Sequence, residues 1–209
     1  MLGVDPHEFL VPLIRQSVLM MHLFAFAFAF VLVARADIAM LRGQYQEGRY
    51  DLGRDAVYTA WLLGLLWVSG VALIGLGIGF DIAAITANGK VFAKVTVVTI
   101  LTINGIFLHH YAFPVFADKQ GKASSVRLLI CTILGAVSSV SWFCASAFGA
   151  ARVVAPWLGY LHFMLFYGIS LAAGLFVAIL FVRPVLRRQL ERRSSVVPSA
   201  GFVAGAVAE

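Results

Sequence analysis

The chain has 209 residues, of which 61% are hydrophobic and 12% charged, and its formal net charge is +6. A soluble fold of this size and composition would have too little polar surface, which excludes a water-soluble globular protein. The basic residues lie in short segments between long apolar stretches, a distribution that argues for a membrane protein and against a nucleic-acid-binding one.

Five stretches of 18 to 30 residues contain no Asp, Glu, Lys or Arg. Each can cross a hydrocarbon core about 30 Å thick as a helix. We therefore predict an all-α bundle of five transmembrane helices, over about 14–40, 56–80, 91–117, 126–149 and 155–183. Because no other segment can bury a core of its own, residues 1–193 are expected to form a single domain. Residues 194–209, rich in Ser, Ala, Gly and Val, are expected to be a disordered cytoplasmic tail.

The basic residues predict the orientation of the bundle. One side carries eleven of them: Arg42, Arg49, Arg54, Lys119, Lys122, Arg127, Arg183, Arg187, Arg188, Arg192 and Arg193. The other side carries Lys90, Lys94 and Arg152. The positive-inside rule then places the amino terminus outside and the carboxyl terminus in the cytoplasm, as expected for a multi-pass protein of a bacterial-type inner (plasma) membrane.

Four of the five histidines lie within three predicted spans, where polar groups are costly and usually functional. His22 in the first span and His162 in the fifth share a depth within about 3 Å, in the outer half of the bilayer. Two imidazoles at one depth on two helices can be the axial ligands of a b-type haem. His109 and His110, in the third span, lie toward the cytoplasmic half. We expect His109 to serve a second site or a proton relay, and His110 to be the more tolerant of substitution.

Several charged residues are candidates to support such a site. Lys94 and Arg152, at the outer side, can neutralise the carboxylates of an anionic cofactor, and Arg15 is a third candidate there. Lys94 and His109 share one face of the third span on a helical wheel.

Two further charged residues lie at the cytoplasmic end of the first span. Asp37 lies about 60° from His22 around this helix, so it can face the bundle where His22 does. Asp37 and Arg35 are candidates to pair with Arg42 or to orient His109 or His110.

The order of these residues resembles small multi-helix membrane proteins of the protoporphyrinogen-oxidase-J and copper-resistance-D type. The matching residues are His22 and Arg35 in the first span and Lys94 and His109 in the third, within roughly half of the chain. The resemblance implies haem b binding and redox chemistry at the membrane, with His22 and His109 as the key histidines. The interval from Lys94 to His109 is longer than in that family's pattern, and the fifth span adds another histidine.

The leading interpretation is a membrane-embedded b-type haem protein in electron transfer or redox chemistry, with a quinone or another redox partner. An alternative is a histidine-based proton or metal-ion transporter or channel, in which His22, His109, His110 and His162 are the candidate metal ligands. A third is an accessory subunit of a homo-oligomer or a larger membrane complex. No nucleic-acid partner is expected.

Overall fold

The structure is a computed structural model that describes residues 6–44, 51–112 and 124–196. Every regular element in these ranges is helical: α1 (Pro6–Leu41), α2 (Leu52–Ile78), α3 (Ile82–Ala87), α4 (Gly89–Phe107), α5 (Ser125–Ala150), α6 (Tyr160–Val177) and α7 (Arg183–Val196). Two π-helical turns, Leu108–Ala112 and Ala178–Val182, continue α4 and α6. A 3-10 turn at Ala155–Trp157 precedes α6.

Five helical segments are long and apolar enough to cross a membrane: Phe9–Leu41, Gly53–Ile78, Gly89–Ala112, Ser125–Ala150 and Tyr160–Arg192. The all-α class and the five candidate spans are therefore confirmed, and the chain is a multi-pass membrane protein by length and composition. The predicted end of the third helix, beyond residue 112, lies outside the described residues.

The helix boundaries follow from local capping and turn chemistry. Asp51 caps α2 by accepting a hydrogen bond from the Arg54 N–H, at 3.0 Å. Gly79, with a φ of 72°, ends α2 in a conformation that favours glycine. Beyond it, the Asp81 side chain accepts from the backbone of Ala83 and starts the short helix α3, which was not predicted.

The last helical segment begins later and ends later than predicted. It begins at Tyr160 because the residues before it form a 3-10 turn that contains Pro156. It continues through α7 to Val196, three residues into the predicted tail, while residues 197–209 lie outside the described part. The buried side chains of Leu186 and Leu190 explain why α7 is held in place. They pack against Ala112 of the third span and against Leu128 and Cys131 of α5.

The helices form two packed groups. In one, α1 runs along α2; in the other, α4, α5 and α6 share a core of Ala93, Val97, Cys144, Phe148, Phe163 and Tyr167. The groups meet where α1 contacts α5, with the rings of Phe26 and Trp142 centred 5.6 Å apart. Around the bundle, α2 and α4 therefore face each other. We call the end of the bundle that carries α3 the α3 end, and the opposite end the α7 end.

Candidate functional site

A cavity of about 330 Å³ separates the two helix groups at the α3 end. Its walls come from α1, α2, α4 and α5, and the last residues of α2 and Asn88 before α4 lie at its outer rim. This volume falls within the range of roughly 300–1,000 Å³ that is typical of ligand pockets. We call it the His22 cavity, because His22 is the one histidine among its described lining residues.

A hydrogen bond joins α2 to α4 beside the His22 cavity. The indole N–H of Trp67 donates to the Thr102 hydroxyl oxygen at 2.9 Å. The Thr102 hydroxyl in turn donates to the Val98 carbonyl at 2.8 Å, so both groups are satisfied. From this bond to the α3 end, α2 and α4 face each other across the cavity, and Trp67 itself lines it.

The His22 ring is held by a residue of the second helix. Its Nδ1 lies 2.7 Å from the Oγ of Ser69, which is fully buried. The Ser69 Oγ also lies 2.7 Å from the Leu65 carbonyl oxygen. A serine hydroxyl has a single hydrogen, which can go to the Leu65 carbonyl or to His22 Nδ1. In the first arrangement Ser69 accepts from His22, and Nδ1 carries the imidazole proton. The Nε2 lone pair of His22 is then available, and no described residue hydrogen-bonds to this atom.

Two cations lie at the same cavity as His22. The Lys94 Nζ lies 3.9 Å from the position that a Cβ on Gly149 would take, and the Arg15 Nη2 lies 3.5 Å from that position on Gly77. Both glycines therefore leave room for a charged group against a helix backbone. Among the described residues, the lining of the His22 cavity contains no carboxylate, so the cavity is positively charged.

His162 does not line the His22 cavity. It lies in the first turn of α6 and is exposed, whereas its neighbour Phe163 is buried against Phe148, with ring centroids 5.1 Å apart. The side of α6 that carries Phe163 and Tyr167 packs on α4 and α5, and adjacent helical residues point about 100° apart. The structure therefore does not bring the two predicted axial ligands, His22 and His162, into one cavity.

His109 and His110 also lie away from the His22 cavity. Both are exposed in the π-helical turn that continues α4, with ring centroids 5.6 Å apart and nearly perpendicular planes. His109 lies about 22 Å beyond Lys94 along the helix, toward the α7 end, because many residues at 1.5 Å rise separate the two. Lys94 lines the His22 cavity, whereas His109 does not.

Asp37 and Arg35 form contacts between helices near the α7 end. The Ser139 hydroxyl of α5 donates to Asp37 Oδ2 at 2.7 Å. The guanidinium of Arg35 lies 3.8 Å from the carboxylate of Asp55, which is buried at the start of α2. Neither of these two contacts involves Arg42 or the histidine pair, and Asp55 was not singled out from the sequence. These contacts join α1 to its two neighbouring helices.

Arg152 lies at a second cavity, of about 520 Å³, also at the α3 end. This Arg152 cavity is lined by Val11, Pro12, Arg15, Gln16, Leu19, Leu76 and Arg152. Arg15 lines both cavities, whereas Lys94 lines the first and Arg152 the second. The two cations predicted to hold one anionic cofactor therefore line separate spaces.

Metal-binding clusters and disulfides are not found in the described part of the chain. It contains no group of three or more His, Cys, Asp or Glu residues that could hold a metal ion. Cys131 and Cys144 are both buried free thiols.

Sequence reasoning missed the residues that shape the His22 cavity. Ser69 is the hydrogen-bond partner of His22, and Trp67 and Thr102 join α2 to α4 beside the cavity. Ser69 could have been noticed as a polar residue beside Gly70 in an otherwise apolar span, but its partner depends on how α1 and α2 pack.

No family model, curated protein or solved structure matches this chain. The resemblance to the protoporphyrinogen-oxidase-J and copper-resistance-D type stays a prediction from His22, Arg35, Lys94 and His109.

Proposed function

We propose that this protein is a membrane-embedded b-type haem protein with His22 as the protein ligand of the iron. The observation that supports the proposal is the hydrogen bond between His22 Nδ1 and Ser69 at the wall of the His22 cavity. We propose the arrangement in which Nδ1 donates to Ser69 and Nε2 is available to the iron. Metal-binding histidines almost always donate their other ring N–H to a neighbouring acceptor, which fixes the tautomer and the ring orientation. Ser69 has that role here.

The chemistry of the cavity lining fits this group. Haem b is a flat, largely apolar macrocycle with two carboxylates, and the cavity combines the side chains of Phe26, Trp67 and Trp142 with the cations Lys94 and Arg15. These cations would pair with the carboxylates, and the aromatic residues would contact the apolar part. When bound, haem supplies one-electron redox chemistry whose potential depends on its ligand and on the polarity around it.

The protein's own residues prepare the cavity for that chemistry. Ser69 would hold the imidazole in one tautomer, and the Trp67–Thr102 bond joins α2 to α4 beside the cavity. A single histidine ligand is proposed in place of the pair His22 and His162, because His162 is exposed outside the cavity.

We further propose that the α3 end faces outward and the α7 end faces the cytoplasm, in a bacterial-type plasma membrane. The excess of Lys and Arg in the segments at the α7 end supports this orientation. The His22 cavity would then lie in the outer half of the bilayer, where a lipid-soluble quinone is a suitable redox partner. A cytoplasm-specific reporter should be active when fused at Glu209 and inactive when fused at Met1, and the opposite pattern would overturn the orientation.

The haem proposal is tested by absorption spectroscopy of the purified protein. After expression with a haem precursor, the wild type should show a Soret band with about one haem per chain, and His22→Ala should lose most of it. A wild-type protein that stays colourless would rule out a haem function. A full Soret band in His22→Ala, with the fold intact by circular dichroism, would rule out His22 as the ligand.

A further inference from the structure

We propose that the Arg152 cavity is a binding site for the phosphate headgroup of an anionic phospholipid. This site is separate from the His22 cavity. The guanidinium-bearing residues Arg15 and Arg152 and the amide-bearing Gln16 line one space of about 520 Å³. Guanidinium groups present planar pairs of N–H donors that match the oxygens of a phosphate, and an amide adds a neutral donor.

The charges around the cavity favour an anion. Neither Arg15 nor Arg152 forms an ion pair with a carboxylate in the described part of the chain. Arg152 also lies close enough to Lys90 and Lys94 for these like charges to repel one another. A phosphate between Arg15 and Arg152 would offset this repulsion through charge-assisted hydrogen bonds.

The remaining lining favours a phospholipid over a free anion. Val11, Pro12, Leu19 and Leu76 supply an apolar surface beside the two arginines. Val11 is 46% exposed and Leu76 is 36% exposed, so this surface lies open on the side of α1 and α2 that the bilayer covers. A phospholipid can contact both parts of the lining, with its phosphate at the arginines and its acyl chains at the apolar side chains. Inorganic phosphate can contact only the charged part.

Substitutions can distinguish the two cavities, because each has a cation that the other lacks and only one cation is common to both. Lys94 lines the His22 cavity, Arg152 lines the Arg152 cavity, and Arg15 lines both. Lipid binding should therefore depend more strongly on Arg15 and Arg152, which line the site, than on Lys94, which lies near it without lining it. This pattern differs from the general attraction of anionic lipid to any basic residue near a membrane.

Native mass spectrometry of the purified protein tests the proposal. The detergent-solubilised protein is titrated with phosphatidylglycerol or with phosphatidylcholine of the same acyl chains. The wild type should retain one phosphatidylglycerol in preference to phosphatidylcholine. Arg15→Gln and Arg152→Gln should each weaken this binding about tenfold, the loss expected for hydrogen bonds between charged groups. Arg127→Gln, at the exposed start of α5, is the matched control and should bind as the wild type does.

Three outcomes would overturn the proposal. Equal retention of the two lipids would remove the headgroup preference, and an equal loss in Arg127→Gln would indicate general charge attraction. Displacement of phosphatidylglycerol by inorganic phosphate at the same concentration would identify free phosphate, not lipid, as the ligand. Because a variant could lose lipid by misfolding, each must keep the wild-type helical circular dichroism signal and elute as a single species before it is compared.

Discussion

His22 and Ser69 are joined by a hydrogen bond of 2.7 Å between α1 and α2, at the wall of the His22 cavity. When the single Ser69 hydrogen goes to the Leu65 carbonyl, Ser69 accepts from His22 and Nδ1 is the protonated nitrogen. In that arrangement the Nε2 lone pair is available to bind a metal. A buried serine hydroxyl on the second helix is thus the hydrogen-bond partner of a histidine on the first.

We first predict that Ser69→Ala weakens haem binding about tenfold, because the His22 ring loses the acceptor that orients it. The iron–histidine stretching band in resonance Raman spectra and the reduction potential should both shift, which a purely structural role of Ser69 would not cause. Ser17→Ala, an exposed serine on the same helix as His22, is the control. An unchanged stretching band in Ser69→Ala would contradict the role given to Ser69.

Second, the four intramembrane histidines should differ sharply in their importance. We expect His22→Ala to lose haem, while His162→Ala, His109→Ala and His110→Ala keep at least most of it, because these three side chains are exposed outside the His22 cavity. Haem content per chain and the Soret spectrum measure this. Loss of haem in His162→Ala alone, with His22→Ala unaffected, would locate the site on α6 instead.

Third, Lys94→Gln should accelerate haem loss, because one of the cations that pairs with its carboxylates is removed. Transfer of haem to apomyoglobin measures the dissociation rate, which we expect to rise about tenfold if a charge-assisted hydrogen bond is lost. Arg188→Gln, an exposed residue of α7 at the opposite end of the bundle, should leave the rate unchanged. Equal rates in Lys94→Gln and wild type would remove Lys94 from the site.

Fourth, filling the His22 cavity should abolish ligand binding with little change in the fold. Ala145 of α5 lines the cavity, so Ala145→Leu places a larger side chain in the space that the ligand needs. Ser146→Leu, at the exposed next position of the same helix, is the matched control. Haem content should fall in the first variant alone, and equal haem content in both would show that the ligand binds elsewhere.

Fifth, the contact between Asp37 and Ser139 should contribute to stability. Ser139→Ala leaves a half-buried carboxylate without its serine donor, which typically costs about 1–3 kcal/mol of the free energy of unfolding. Asp37→Asn keeps an acceptor oxygen and should cost less. Reversible unfolding in detergent monitored by circular dichroism compares the two with Ser146→Ala. A Ser139→Ala variant as stable as Ser146→Ala would indicate that this contact has no net effect.

The candidate site was predicted in part. Sequence reasoning selected His22, Lys94 and Arg15, since a histidine or a lysine in an apolar span is unusual enough to be noticed without any structure. It also selected His162, because depth along a helix follows from counting residues. It could not determine that Phe163, next to His162, is the residue that packs against α5. Nor could it predict the π turn that contains His109 and His110.

The sequence by itself determined the class of protein and the number and approximate limits of its spans. A bilayer requires about 20 apolar residues per helix and internal pairing of every backbone polar group. Each helix meets both requirements by itself, so they can be recognised in the sequence. The rotation of each helix and its neighbours were decided only by the tertiary structure. Lipid and the protein interior are similarly apolar, so the residue pattern of a membrane helix gives little indication of which side faces its neighbours. Close contacts such as Ser69 with His22 and Ser139 with Asp37 therefore become visible only when the helices are packed.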